Sequence, residues 1–139
     1  MRSAKALKIG VYKVQIRVYY DDTDAGGIVY HANYLKFCER ARSELFFARG
    51  SSPAIDGGHF VVKHIVADFI KPAKLGDMLE VSHEVLKLGG ASLELKQEIW
   101  KDKEKLFSMT STLVFVKNGK PARFSQESAA IMKEMFGNI

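Results

Sequence analysis

One stretch limits the folds open to this chain more than any other. Between about Ala32 and Arg49, the residues Tyr34, Phe37, Cys38, Ala41, Leu45 and Ala48 fall on a single stripe of helical period. Phe46 and Phe47 widen that stripe near its end. Asn33 is read as the N-cap and Gly50 as the residue that closes the helix in the left-handed region. A helix this apolar packs against a sheet on more than one side.

The segments around it carry a different period. Val14, Ile16 and Val18 alternate with Lys13, Gln15, Arg17 and Tyr19, the pattern of a half-buried strand. Asp21 to Gly27 breaks the alternation with three aspartates and the pair Gly26-Gly27, so it is read as a loop. After the helix, Ser51 to Gly58 is a turn-rich connection and His59 to Lys71 a strand with apolar residues on both faces. Leu79, Val81 and Val85 mark the next strand, Leu93, Leu95 and Ile99 another, and Leu106 to Lys117 a fourth. Gly89-Gly90 and Asn118-Gly119 are hairpin signals. Ser125 is placed to cap a short terminal helix carrying Ile131, Met132, Met135 and Phe136.

The order is strand, long helix, then antiparallel strands in a meander, which is α+β rather than alternating βαβ. The 139 residues fit one domain, taken as 1–139. One sheet around one helix leaves an edge strand and a sheet face partly uncovered. A second copy would cover them, so a homodimer at least is expected.

Composition narrows the function classes. Apolar residues make up 47% and charged residues 27%, the balance of a globular protein, and no segment is long and apolar enough to span a bilayer. The first eight residues lack the apolar core of a signal peptide. Cys38 is the single cysteine, which rules out an internal disulfide, leaves a zinc cluster unsupported and fits a reducing cytoplasm. The net charge of +5 favours an anionic partner, such as nucleic acid or a phosphate-bearing ligand. The basic residues are dispersed and no aromatic-basic motif accompanies them, so nucleic-acid binding is disfavoured.

Chemistry concentrates between Val18 and Arg42. A helix N-terminus offers unpaired N–H groups and partial positive charge, which stabilise an oxyanion when a carbonyl is attacked. Gly26 and Gly27 clear side chains from a place where a substrate can approach the backbone. Asp24 stands just before them. One short segment thus supplies a carboxylate, a set of donors and steric room. Taken alone, Asp24 also reads as an ordinary turn-capping aspartate. Asp21 and Asp22 are expected to shape or solvate the loop.

The spelling Tyr20-x-x-Thr23-Asp24-x-x-Gly27-x-Val29-x-His31-x-x-Tyr34, followed by Phe37-x-Glu39-x-Ala41-Arg42, resembles the signature of the hotdog-fold 4-hydroxybenzoyl-CoA thioesterase family. Within it the resemblance is to the Tol–Pal-associated acyl-CoA thioesterase (YbgC-type) branch. Ala67 to Glu80, with Pro72-Ala73 and Gly76-Asp77, resembles the same family. The resemblance implies a hotdog fold, an antiparallel sheet wrapped around the long helix. It implies an acyl-CoA thioesterase that uses no metal or cofactor, with a catalytic aspartate at Asp24 and the backbone N–H of His31 aimed at the thioester carbonyl. It leans towards a tetramer built from dimers, and leaves a Tol–Pal or acyl-carrier-protein link open.

On this reading Asp24 either attacks the carbonyl or activates a water. His31 either orients water or carbonyl and protonates the departing thiolate, or is simply a local structural residue. Gly27 and Tyr34 are candidate substrate-binding residues, although Tyr34 and Phe37 also read as core. Glu39 is the rival carboxylate, its other role being a partner for Arg40, Arg42 or Ser43. Cys38 reads as buried and inert. His59, His64 and His83 are taken as structural. Lys63, Lys71, Lys74 and Arg123 are candidates for a basic coenzyme A groove by charge only. Two other activities remain alongside hydrolysis: a 3-hydroxyacyl thioester dehydratase and a non-catalytic acyl-thioester or envelope-complex binding module.

Overall fold

The computed structural model describes residues 13–137. The reading of the first eight residues therefore lies outside the described ones. Strand β1 (Lys13–Arg17) leads through a 3-10 turn at Tyr20–Asp22 into helix α1 (Asn33–Ala48). Strands β2 (His59–Phe69), β3 (Met78–Leu88), β4 (Ser92–Lys101), β5 (Glu104–Lys117) and the short β6 (Lys120–Pro121) follow, then helix α2 (Gln126–Phe136).

The sheet order is β1-β3-β4-β5-β2, antiparallel throughout, with β6 pairing to β5. The expected meander is real only from β3 through β5 to the short β6. β2 crosses to the far edge, where Phe69 faces Phe107 and His59 faces Val116. The crossing follows from α1, which carries the chain past the sheet before β2 begins.

Alternation decides the buried face. Leu79, Val81 and Val85 on β3, Leu93, Leu95 and Ile99 on β4, and Phe107, Met109, Leu113 and Phe115 on β5 are all buried. From α1, Phe37, Cys38 and Ala41 are completely buried in the same core. Full burial of each such large apolar side chain contributes about 1.5–3 kcal/mol.

One polar contact inside this core ties helix to sheet. The Gln97 side-chain amide donates to the carbonyl of Cys38 at 2.8 Å, and its oxygen accepts from Arg42 Nη1 at 3.0 Å. Helix α2 closes the remaining side with Met132, Met135 and Phe136. Ser125 caps it as expected, accepting from the Ser128 N–H at 3.0 Å.

The two helix ends of α1 differ from expectation in one respect. Gly50 takes φ +74° just past the helix, as its closing role requires. Asn33, however, is the first helical residue and not the cap. Ala32, whose methyl side chain cannot cap, holds that position, and the Asn33 amide donates to Asp22.

β2 is unlike the other long strands. Val61, Val62, Val66 and Phe69 are exposed along it, Val66 at 58% and Phe69 at 56%. Among the described residues its only strand partner is β5. The expected uncovered edge is this eleven-residue apolar strand.

Candidate active site at the head of the central helix

The loop from Val18 to Ala32 is held by its own main chain and by one buried carboxylate. Val18 N–H donates to the carbonyl of Asp77 and Gly76 N–H donates back to that of Val18, both at 3.0 Å, which joins the loop to the turn before β3. Asp22, only 2% exposed, accepts from the Tyr19 N–H at 2.9 Å and from the Asn33 amide at 3.1 Å. The Arg40 guanidinium stands 3.7 Å from the same carboxylate. The Asp22 carbonyl also receives the Tyr30 N–H at 2.9 Å. Asp22 therefore fastens both ends of the loop to the first turn of α1. Of the two expected roles, shaping the loop holds for Asp22 and solvating it does not, because the side chain is buried and fully engaged.

Asp24 lies exposed on the far side of this anchor. Its carboxylate accepts the Gly26 N–H at 2.8 Å, and its carbonyl accepts the Gly27 N–H at 3.1 Å. That is a tight aspartate turn, and it leaves the second carboxylate oxygen with no donor among the described residues. Gly27 takes φ +82°, a conformation other residues rarely adopt, and a Cβ on Gly26 would stand 3.3 Å from the Asp24 carboxylate. The glycine pair thus serves the turn that orients Asp24 as well as clearing space.

A shallow cleft of about 310 Å³ opens beside this loop. Ile28, His31 and Tyr34 line it from the loop and the head of α1, and Phe69, Ile70 and Pro72 from the end of β2 and the residues after it, the Tyr34 and Phe69 rings meeting edge to face at 5.7 Å. His31 is exposed, with its ring 4.5 Å from that of Tyr30. The backbone N–H groups of His31 and Ala32 donate to no acceptor among the described residues, so they head α1 as open donors.

Asp24 borders this cleft rather than lining it. Its N–H donates at 2.8 Å to the carbonyl of Ile28, a wall residue. The structure therefore gathers Asp24, Gly27, His31 and Tyr34 at one end of α1, with Gly27 also outside the cleft wall.

Tyr34 is both a core residue and part of the wall. It is buried, its ring stacks on Phe107 at 5.0 Å, and its hydroxyl accepts the Ala73 N–H at 3.0 Å. Burial raises the pKa of that hydroxyl above its ordinary value, Asp77 and Asp24 push the same way, and the Ala73 bond opposes them. Phe37 is core alone.

Glu39 faces elsewhere. Its carboxylate accepts from Ser43 Oγ at 2.8 Å and lines a separate cavity. Cys38 is completely buried, and burial pushes its thiol up to about 12. A nucleophilic thiolate there is excluded near neutral pH. Of the basic candidates, Lys71 lines the cleft and pairs with Glu104. The apolar trio Phe69, Ile70 and Pro72 on either side of Lys71 is the part of the site that sequence reasoning misses. Its signal is the apolar strand end running into Pro72.

Comparison with known proteins bears on this arrangement. A family model described as the thioesterase superfamily matches residues 26–108, from the glycine pair into β5. The acyl-CoA thioesterase YbgC of Helicobacter pylori is 51% identical over 87 residues, which cover 63% of this chain and 65% of that relative's length. The chain thus spans slightly under two thirds of that relative. The acyl-CoA thioesterase YbgC of Haemophilus influenzae is 39% identical over 125 residues, covering 86% of this chain and 92% of that one.

A probable thioesterase from Bartonella henselae superposes with a TM-score of 0.78 at 32% identity, covering 83% of this chain and 99% of the other. A thioesterase from Thermus thermophilus, solved with coenzyme A and Zn, superposes with a TM-score of 0.74 at 28% identity, covering 92% and 98%. The matched stretch runs from the glycine pair through the central helix and β2 to β4 into β5, and on that ground the chain belongs to the thioesterase superfamily, in its hotdog fold.

Proposed function

We propose that this protein hydrolyses an acyl-CoA thioester to the free acid and coenzyme A, with Asp24 as the catalytic carboxylate. One observation carries the reading: an exposed carboxylate, fixed by a two-glycine turn, stands in the same loop as the open amides that head α1. The relatives named for acyl-CoA thioester hydrolysis and the neighbour solved with coenzyme A support it.

A thioester needs little more than this. Its leaving thiol has a pKa near 8.5 by the cysteine reference, so thiolate departs without an obligatory strong acid. Asp24 attacks the carbonyl or takes a proton from water, and the N–H groups of His31 and Ala32 receive the oxyanion. The His31 imidazole orients the water or the departing sulfur. Lys71, on the cleft wall, meets the anionic end of coenzyme A. The acyl group lies along the apolar floor that Ile28, Phe69 and Ile70 give the cleft.

The functional unit in this reading is a homodimer or a larger even assembly. Its support is the exposed apolar edge of β2, whose last residue, Phe69, is also a cleft wall. The lone cysteine fits a cytoplasmic setting.

Thiol release from acetyl- to palmitoyl-CoA and from benzoyl derivatives tests the assignment. Hydrolysis frees coenzyme A, lost in Asp24→Asn. Consumption of an added 3-hydroxyacyl-CoA without thiol release, its 3-hydroxyl leaving as water, would replace hydrolysis by dehydration, and binding without turnover would make the protein a carrier of acyl thioesters.

A further inference from the structure

A second cavity, of about 260 Å³, lies farther along α1 and takes no part in the chemistry above. Glu39, Arg42 and Phe46 line it from the helix, and Leu93, Leu113 and Phe136 from the sheet and α2. By helical rise, Arg42 sits about 14 Å along the axis from Asn33, well clear of the head of the helix.

Arg42 makes this cavity unusual. A guanidinium offers five N–H donors, and among the described residues only Nη1 is engaged, through Gln97. Gln97 is itself 0% exposed and has its orientation fixed by the Cys38 carbonyl. The guanidinium is therefore aimed by a buried partner, while its remaining donors are unused. No carboxylate of the described residues lies within ion-pair distance of it. Glu39 is on the exposed rim, engaged by Ser43. Burial lowers the pKa of Arg42 from its ordinary value, so an ion pair there would recover lost solvation.

We propose that this cavity is a binding subsite for a carboxylate on a small apolar body, with Arg42 gripping the carboxylate and the Phe46, Leu93, Leu113 and Phe136 walls enclosing the body. The pairing is bidentate in the usual manner of guanidinium and carboxylate. The size fits, since an apolar cavity of about 150 Å³ already accepts benzene. Two sources present this chemistry: a free small organic acid, or the carboxylated far end of a long acyl chain. The second source rests on the thioesterase reading; the first does not.

Benzoate titrated into the intact protein is the probe, followed by NMR at the Arg42 side chain and the Leu93 and Leu113 methyls. Saturable shifts at those groups are expected, with benzyl alcohol at least ten-fold weaker and Arg42→Gln losing the preference. Should Arg42→Gln not fold, the benzoate and benzyl alcohol comparison in the unaltered protein still decides. Equal affinity for the two, or no saturable shift, overturns the proposal.

Turnover of dodecanedioyl-CoA against dodecanoyl-CoA separates the sources. A preference for the diacid derivative assigns the acyl-chain end, and equal rates with benzoate bound assign the free acid. Absence of any turnover with benzoate still binding sinks the hydrolase reading and leaves the subsite standing.

Discussion

The loop before α1 and the body of α1 are continuous in sequence but built on opposite terms. From Tyr19 to Ala32 the chain has few apolar anchors and is held by main-chain bonds and Asp22. From Phe37 to Phe46 the helix is held by apolar burial, with Gln97 as its polar tie. The loop keeps Asp24 and two amides in solvent reach, and the body makes that exposure tolerable by fixing where they stand. Substitutions should therefore separate activity from stability according to which side of Asn33 they fall.

The sharpest separation is expected at Asp24. In Asp24→Asn, turnover should fall by about 10²–10⁴-fold, the usual contribution of a positioned acid or base. The stability measured in urea should stay within about 0.5 kcal/mol of the parent, as for surface changes generally. Comparable loss of activity and stability would erase the contrast. Phe37→Ala is the converse, with an expected cost of about 3–5 kcal/mol in denaturant unfolding, from lost burial and the cavity left behind.

Asp22→Asn should fall between the two. It replaces one accepting oxygen with a donor among donors, at about 1–3 kcal/mol for the unsatisfied group. Turnover should drop as well, because the loop that bears Asp24 loses its anchor. An Asp22→Asn protein with full activity would detach the anchor from the chemistry.

Cys38 gives a pH signature confined to the helix body. Its thiol titrates near 9.0 when unfolded and at about 12 when folded. Across that window the unfolded chain has released a proton that the folded protein still holds, so rising pH favours unfolding. Stability attributable to this group is complete below about pH 9 and declines at up to about 1.4 kcal/mol per pH unit above it. Cys38→Ala should flatten that alkaline decline in urea titrations. Asp24→Asn should leave it unchanged. The smallest effect belongs to Glu39→Gln, which should alter both stability and thioester turnover by less than about 0.5 kcal/mol.

What is legible in the sequence follows physical range. The stripe from Tyr34 to Ala48 declares α1 because its signal is local and repeats every turn. The alternation of β3 to β5 is equally local, and Ser125 and Gly50 are legible because caps are set by single residues. The place of β2 is not legible, since pairing with β5 depends on residues far along the chain. The same distance hides Gln97, which meets Arg42 across 55 positions.

Asp22 and Asp24 pose a subtler problem. They are the same residue type two positions apart, and only the third dimension buries one and exposes the other. Asn33 misleads as a cap for a related reason: its side chain answers to Asp22 and not to its own helix.

The position of β2 also carries a consequence for biosynthesis. β2 leaves the ribosome before the strand it needs, because Phe69 must wait for Phe107 and His59 for Val116. Roughly 40 to 60 further residues must be made first, which at about 5–20 residues per second takes several seconds. Throughout that interval an eleven-residue apolar ribbon travels unaccompanied. Chaperone demand during translation should therefore concentrate on His59–Phe69, and slowing elongation before Glu104 should lower soluble yield more than slowing it after Lys117.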